Sequence, residues 1–179
     1  AKVVKGGRRF SFRVAVVDDR RVNALAAPGG HILVFRGLLE RTRTPEELAG
    51  VLAHEIQHVI RRDVTRALLR HASTGLFLRA VMGDPTGAMA YGLEAAHTLA
   101  VLNYSRETES AADAAGLRLL AQAGIDPAGM LAFFEQLLQS DQGQIRLPQY
   151  LSTHPDAQER LIRLRALARE APAGSPAPL

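Results

Sequence analysis

The chain has 179 residues, 47% of them hydrophobic and 22% charged, which suits one folded domain with a substantial core and is too short for two. Its net charge is +4, but the 20 arginines run from Arg8 to Arg169 without a dense cluster and only nine aromatic residues accompany them, which argues against nucleic-acid binding. Cysteine is absent, so disulfides and thiolate ligands are excluded and any metal must be held by His, Asp or Glu.

The chain opens Ala1-Lys2 rather than with methionine, which reads as a processed or excised piece. Residues 10–18, "FSFRVAVVD", alternate and then turn continuously apolar, the pattern of a strand. "DDRR" is a turn, "VNALAA" a second short strand, "PGG" a break, and "HILVFRG" a third strand. A small sheet is thus expected first, with helical sequence after it. "TRTPEEL" is a helix start: Thr44 as N-cap, Pro45 at the first helical position, and Glu47 completing a capping box. This helix is expected to run to about Leu69. Further helices are expected over 75–102, over 104–122 with an end at Gly124, from Asp126-Pro127 onward, and after His154-Pro155. The most apolar stretch, Leu76 to Leu102, is interrupted by Arg79, Asp84, Glu94 and His97, so no membrane span is expected and the piece should be soluble. Residues 171–179, "APAGSPAPL", form a low-complexity tail; the domain is expected to occupy 1–170.

The first long helix carries "HEIQH". At about 100° per residue, His54 and His58 lie roughly 40° apart and one turn above each other, so both imidazoles can reach one ion. The same wheel puts Leu48, Leu52, Ile56, Val59 and Ile60 on the buried stripe, Gln57 and Arg61 outward, and the histidines at the border. Glu55 falls nearer the stripe, where a carboxylate is costly without a partner or a task. A catalytic zinc takes three protein ligands and keeps a fourth position open. A neighbouring carboxylate can then serve as the base for an attacking water. Two histidines at i and i+4, with a glutamate directly after the first, supply most of that machinery.

The third ligand is sought in "NYSRETESAADAAGLRLL". Glu107 and Glu109 differ by about 200° on a helix, so only one can face the metal. Glu107 shares its face with Ala111, Ala114 and Arg118. Glu109 shares its face with Ala112, Asp113, Gly116 and Leu120, a small and apolar surface able to pack closely, which favours Glu109. Asp113, one turn on, can accept the free N–H of a metal-bound histidine and fix its orientation.

The segments "NALAAPGGHILVFRGLL", "ELAGVLAHEIQHVIRRD", "YSRETESAADAAGLRLL", "AGIDPAGM" and "STHPDAQERL" resemble, in order, the zinc metalloprotease family that contains HtpX, BepA, the Oma proteases and the type-1 CAAX prenyl proteases. The more specific "SR…E…AD" and "GLRLLAQAGIDP" resemble its soluble, BepA-like bacterial branch. The resemblance implies one zinc ion per chain on His54, His58 and Glu109, Glu55 as general base, and Asp113 behind the ligands. It also places His154 and Arg160 near the zinc. His154 would stabilise the oxyanion or act as an inhibitory ligand, and Arg160 would hold its loop or pair with a carboxylate. "HILVF" resembles the family's active-site edge strand, implying that polypeptide substrates pair along His31–Phe35. The chain departs from the family at Asp63, where a histidine is common, and lacks the membrane spans and helical repeats of some branches.

These readings combine into an α+β, zincin-like, mostly helical domain with a small N-terminal sheet. Its expected activity is zinc-dependent endopeptidase cleavage of unfolded or misassembled proteins. The resemblance favours a bacterial periplasm or cell envelope location. The alternative is a latent or chaperone-like binding module whose metal site His154 closes.

Overall fold

A computed structural model of the chain describes residues 2–5, 8–71, 104–141 and 149–170. The helix expected over 75–102 and the tail at 171–179 lie outside these residues.

Strands β1 (Lys2–Lys5) and β2 (Arg8–Ser11) pair as an antiparallel hairpin. Strands β3 (Arg13–Val17), β4 (Ala24–Ala27) and β5 (His31–Phe35) form a separate three-stranded sheet in the order β3–β5–β4. The strand expected over 10–18 is therefore two strands, divided at the buried Phe12. β5 pairs in parallel with β3 (Val14 opposite Ile32) and antiparallel with β4 (Leu25 opposite Leu33). This corrects the edge role expected for His31–Phe35, because β5 is the central strand. The Pro28-Gly29-Gly30 turn causes the difference. Both glycines take positive φ, 82° and 86°, and the turn folds β4 back onto β5, whose other side β3 occupies.

A short helix α1 (Arg36–Leu39) leads to α2 (Pro45–Arg61), the helix of the two histidines. The Thr44 hydroxyl accepts from Glu47 N–H, and Glu47 in turn accepts from Arg43 N–H at 2.7 Å. The capping box is thus shifted by one residue on its return bond. Instead of running on to Leu69, α2 stops at Arg62, whose left-handed conformation (φ 57°) breaks the chain before α3 (Asp63–His71). The remaining helices among the described residues are α4 (Arg106–Gln122), α5 (Ala128–Asp141), the short α6 (Gln149–Thr153) and α7 (Ala157–Glu170). Ser105 caps α4, and the Asp126 carboxylate accepts from Ala128 N–H at the start of α5.

α2 packs against both α4 and α5 and also touches β4. At the α5 crossing, a β-carbon on Gly50 would lie 2.6 Å from Met130 Cα, so only glycine permits that approach. This enclosure overturns the expected helical wheel. Leu48, Leu52, Ile56, Val59 and Ile60 are only half-buried, whereas Gln57, expected outward, is buried with Gly50, Val51, Ala53, His54, Glu55 and His58. Small residues let the neighbouring helices close over the polar face, so the histidines sit in the interior instead of at a border. Among the described residues, no helix is long and apolar enough to cross a membrane.

Candidate metal centre

α2 presents His54 and His58 one turn apart, and α4 crosses it with Glu109 and Asp113 turned inward. All four are buried, whereas Glu107 is exposed. His54 Nε2 lies 2.9 Å from His58 Nε2, and the Glu109 carboxylate oxygens lie 3.4 Å from the first and 3.6 Å from the second. Each imidazole is anchored at its other nitrogen: His54 Nδ1 by Asp113 Oδ1 at 2.9 Å, and His58 Nδ1 by Asp63 Oδ2 at 3.1 Å. With Nδ1–H donating to a carboxylate, Nε2 carries the lone pair. Two such lone pairs facing each other at 2.9 Å repel unless a cation or a proton lies between them. Ligand bonds of about 2.0–2.1 Å in a tetrahedral site place donor atoms roughly 3.4 Å apart. The three edges straddle that spacing, so the donor set fits a divalent ion of the zinc type.

The same acids set the protonation of the cluster. Burial works against a charged His54, but Glu109 beside it and the Asp113 hydrogen bond overcome this and hold its pKa at about 9. Glu109 is pulled well below the carboxylate range despite its burial, by His154, Arg160 and His54. Asp113, likewise buried, is brought to about 2 by its hydrogen bonds from Arg160 and His54.

Glu55 follows His54 directly and is buried, and neither of its oxygens has a well-formed hydrogen bond. The nearest imidazole nitrogen is His154 Nε2, 3.4 Å from Oε1. Burial raises its pKa to about 8, against the opposing pull of His54. A carboxyl poised near neutrality is suited to accepting and returning a proton.

His154, between α6 and α7, falls inside this cluster. Its Nδ1 stands 3.1 Å from Glu109 Oε1 and 3.3 Å from His54 Nε2, so one atom each from His54, His58, Glu109 and His154 lie within 4.8 Å of one another. Arg160 reaches in from α7. It grips Asp113 with two bonds of 2.7 and 2.8 Å, meets Glu109 Oε2 at 2.6 Å, and lies over the Phe134 ring at 4.6 Å. Every residue singled out from the sequence is thus brought to one place. Two were missed. Tyr104 stacks on the His58 ring at 4.2 Å and 12°. Asp63 appeared in the sequence only as a departure from the family's common histidine; on an unbroken helix it would lie about 140° from His58. The break at Arg62 brings it back, and an acid just past the last turn was the only signal. A cleft of about 600 Å3 opens beside His58 between the Pro28–Gly30 turn and the α2–α3 junction.

Two imidazoles one turn apart, a glutamate between them and an acid from a crossing helix define the HExxH class of metallopeptidase domains. Residues 4–168 match the model of Peptidase family M48, and the chain belongs to that family. It is 30% identical over 169 residues to the β-barrel assembly-enhancing protease of Escherichia coli K12, covering 89% of this chain and 35% of that protein. It is 31% identical over 170 residues to mitochondrial metalloendopeptidase OMA1 of Schizosaccharomyces pombe, covering 94% of this chain and 50% of the relative. The OMA1 of Arabidopsis thaliana is 36% identical over 155 residues, covering 84% of this chain and 30% of the relative. The chain thus spans between a third and a half of the length of most of these relatives.

Proposed function

We propose that this chain is the catalytic domain of a zinc endopeptidase that cleaves unfolded or misassembled polypeptides. The observation that carries the reading is the convergence of His54 Nε2, His58 Nε2 and the Glu109 carboxylate in the same buried cluster as Glu55. An ion held there supplies Lewis acidity to polarise a peptide carbonyl and acidify a water. Glu55 takes the proton from the attacking water and returns it to the leaving amine. Asp113 and Asp63 keep the imidazoles turned to the ion, and Arg160 offsets the charge of Glu109 and Asp113.

We place the substrate backbone along β4, an edge strand of this sheet, buried at Ala24 and Ala26 and half-buried at Leu25 and Ala27. Asn23 C=O accepts from Phe35 N–H at 3.0 Å, which fixes the pairing phase: residues 23, 25 and 27 turn toward β5, while Ala24 and Ala26 turn their backbone groups outward. The Ala26 N–H acts on the Glu55 carboxyl, so this edge runs past the base. Backbone pairing gives affinity with little demand on side chains, as an unfolded substrate requires. Names such as β-barrel assembly-enhancing protease among the relatives support a bacterial envelope location. Cell fractionation tests it, and a cytosolic enzyme would overturn that part.

A latent enzyme is a second reading, favoured by the place of His154 Nδ1 among the candidate ligands. A fourth protein ligand closes the position a water needs. The deciding experiment loads the purified protein with zinc and follows casein cleavage by wild type, Glu55→Gln and His154→Ala. Zinc bound in all three, with cleavage absent only in Glu55→Gln, supports the endopeptidase. Activity appearing only in His154→Ala supports latency. A wild type without bound metal defeats both.

A further inference from the structure

Buried polar atoms without a hydrogen bond are uncommon, and each one asks for a reason. Among the described residues they belong to Asn23, Glu55, Gln136, Tyr150 and Arg163. Gln136 and Arg163 use their other polar atoms, on the Arg41 carbonyl and on Glu159. Asn23 does the same, its Oδ1 accepting from the Thr153 hydroxyl, which leaves Glu55 and Tyr150 with no side-chain polar atom so used. Tyr150, on α6, is fully buried, and its backbone N–H donates to Val22 C=O, which holds α6 at the start of β4. Its ring lies 4.6 Å from the His154 ring at 30°, and Phe133 and Phe134 meet it edge-on. His154 Nε2 in turn faces Glu55 Oε1 at 3.4 Å. Phenylalanine would fill this place as well, yet the sequence puts there a hydroxyl that no described residue hydrogen-bonds, against the histidine that faces Glu55.

We propose that Tyr150 is a further catalytic residue, whose hydroxyl donates a hydrogen bond to the carbonyl oxygen of the scissile peptide as that oxygen becomes an oxyanion. The inference rests on the endopeptidase reading. A tyrosine hydroxyl, with an ordinary pKa of about 10, keeps its proton at neutral pH and so acts as a donor. Hydrolysis of one peptide unit needs a base for the water and donors for the oxygen on the same carbon. Glu55 meets the first need. Tyr150 is a buried donor packed on the His154 ring, with no other bond to make, and its backbone anchor on Val22 holds α6 in place.

The test compares Tyr150→Phe and Tyr150→Met with wild type and Glu55→Gln, all in the zinc-loaded full chain. Four quantities are read: zinc stoichiometry, Tm, kcat and KM on a fluorogenic peptide across pH, and affinity for a phosphinic peptide that mimics the tetrahedral oxyanion. The expected result is a fall in kcat of about 100-fold in both variants, with KM little changed. Phosphinic-peptide affinity falls in parallel with kcat/KM. Zinc content stays equal, and Tm is unchanged or higher because an unsatisfied hydroxyl has gone. A kcat within about threefold of wild type overturns the proposal. So does activity lost only in step with zinc content or Tm, which marks a packing role, or a displaced acid limb of the pH profile with an unchanged plateau, which marks an effect on Glu55. If zinc-loaded wild type is no more active than Glu55→Gln, the endopeptidase reading itself fails, whereas an active wild type beside an unaffected Tyr150→Phe removes only the Tyr150 assignment.

Discussion

Asp63 Oδ2 sits 3.1 Å from His58 Nδ1, across the point where the histidine helix breaks at Arg62. The left-handed Arg62 turns the chain so that an acid five positions on meets the ring it would otherwise miss. Asp63 and Asp113 therefore act as a matched pair, one behind each histidine. Removing Asp63 frees the His58 ring to rotate and to present either nitrogen. Asp63→Ala is expected to weaken zinc binding by about 10- to 100-fold. Competition with a fluorescent chelator measures this, and an unchanged affinity would remove Asp63 from the site.

Arg160 is the counter-charge for two buried carboxylates, Glu109 and Asp113. Arg160→Met leaves both acids without it, at a cost of about 3–5 kcal/mol in the metal-free protein. Adding Asp113→Asn to that variant is expected to recover part of the loss. Urea unfolding of the metal-free forms reads the difference, and a variant as stable as wild type would show that the imidazoles alone balance these charges.

The pH dependence follows from His54. Its pKa rises from 6.5 to about 9 in the metal-free fold, so between those values the folded chain holds a proton that the unfolded chain has lost. Metal-free stability is expected to be complete in this respect below pH 6.5 and to fall as pH rises toward 9. Zinc displaces that proton, so the gain in Tm on adding zinc should grow over the same range. Thermal melts with and without zinc from pH 6.5 to 9 test both slopes. Parallel curves would contradict them.

Gly50 tests the packing that holds the helix of the histidines. A methyl group there meets Met130 Cα at 2.6 Å, and Gly50→Ala must push α2 and α5 apart. The expected destabilisation is about 1–3 kcal/mol, overcoming the gain in helix propensity. Stabilisation on urea unfolding would mean the helices separate freely.

Local features of the site were readable in the chain. Histidine spacing on one helix, the preference for Glu109 over Glu107 and the Thr44 cap depend on a few neighbouring residues and on helix periodicity; the structure has the histidines one turn apart, Glu109 buried, Glu107 exposed and Thr44 capping. Relationships between elements were not readable. Nothing local marks β5 as central, because strand order is set by which edge β4 covers after the Gly29-Gly30 turn. Gln57 reads as outward on a wheel, and only the closing of neighbouring helices over α2 buries it. The break at Arg62 uses a left-handed arginine where glycine or asparagine is the usual signal.

The guanidinium that neutralises the centre comes from α7, about a hundred residues after the histidines it serves. A ribosome releases the paired imidazoles and then Glu109 well before Arg160 emerges. Until α7 docks, the acids of α4 lack their counter-charge, so a half-made chain holds the parts of a metal centre without the means to assemble them.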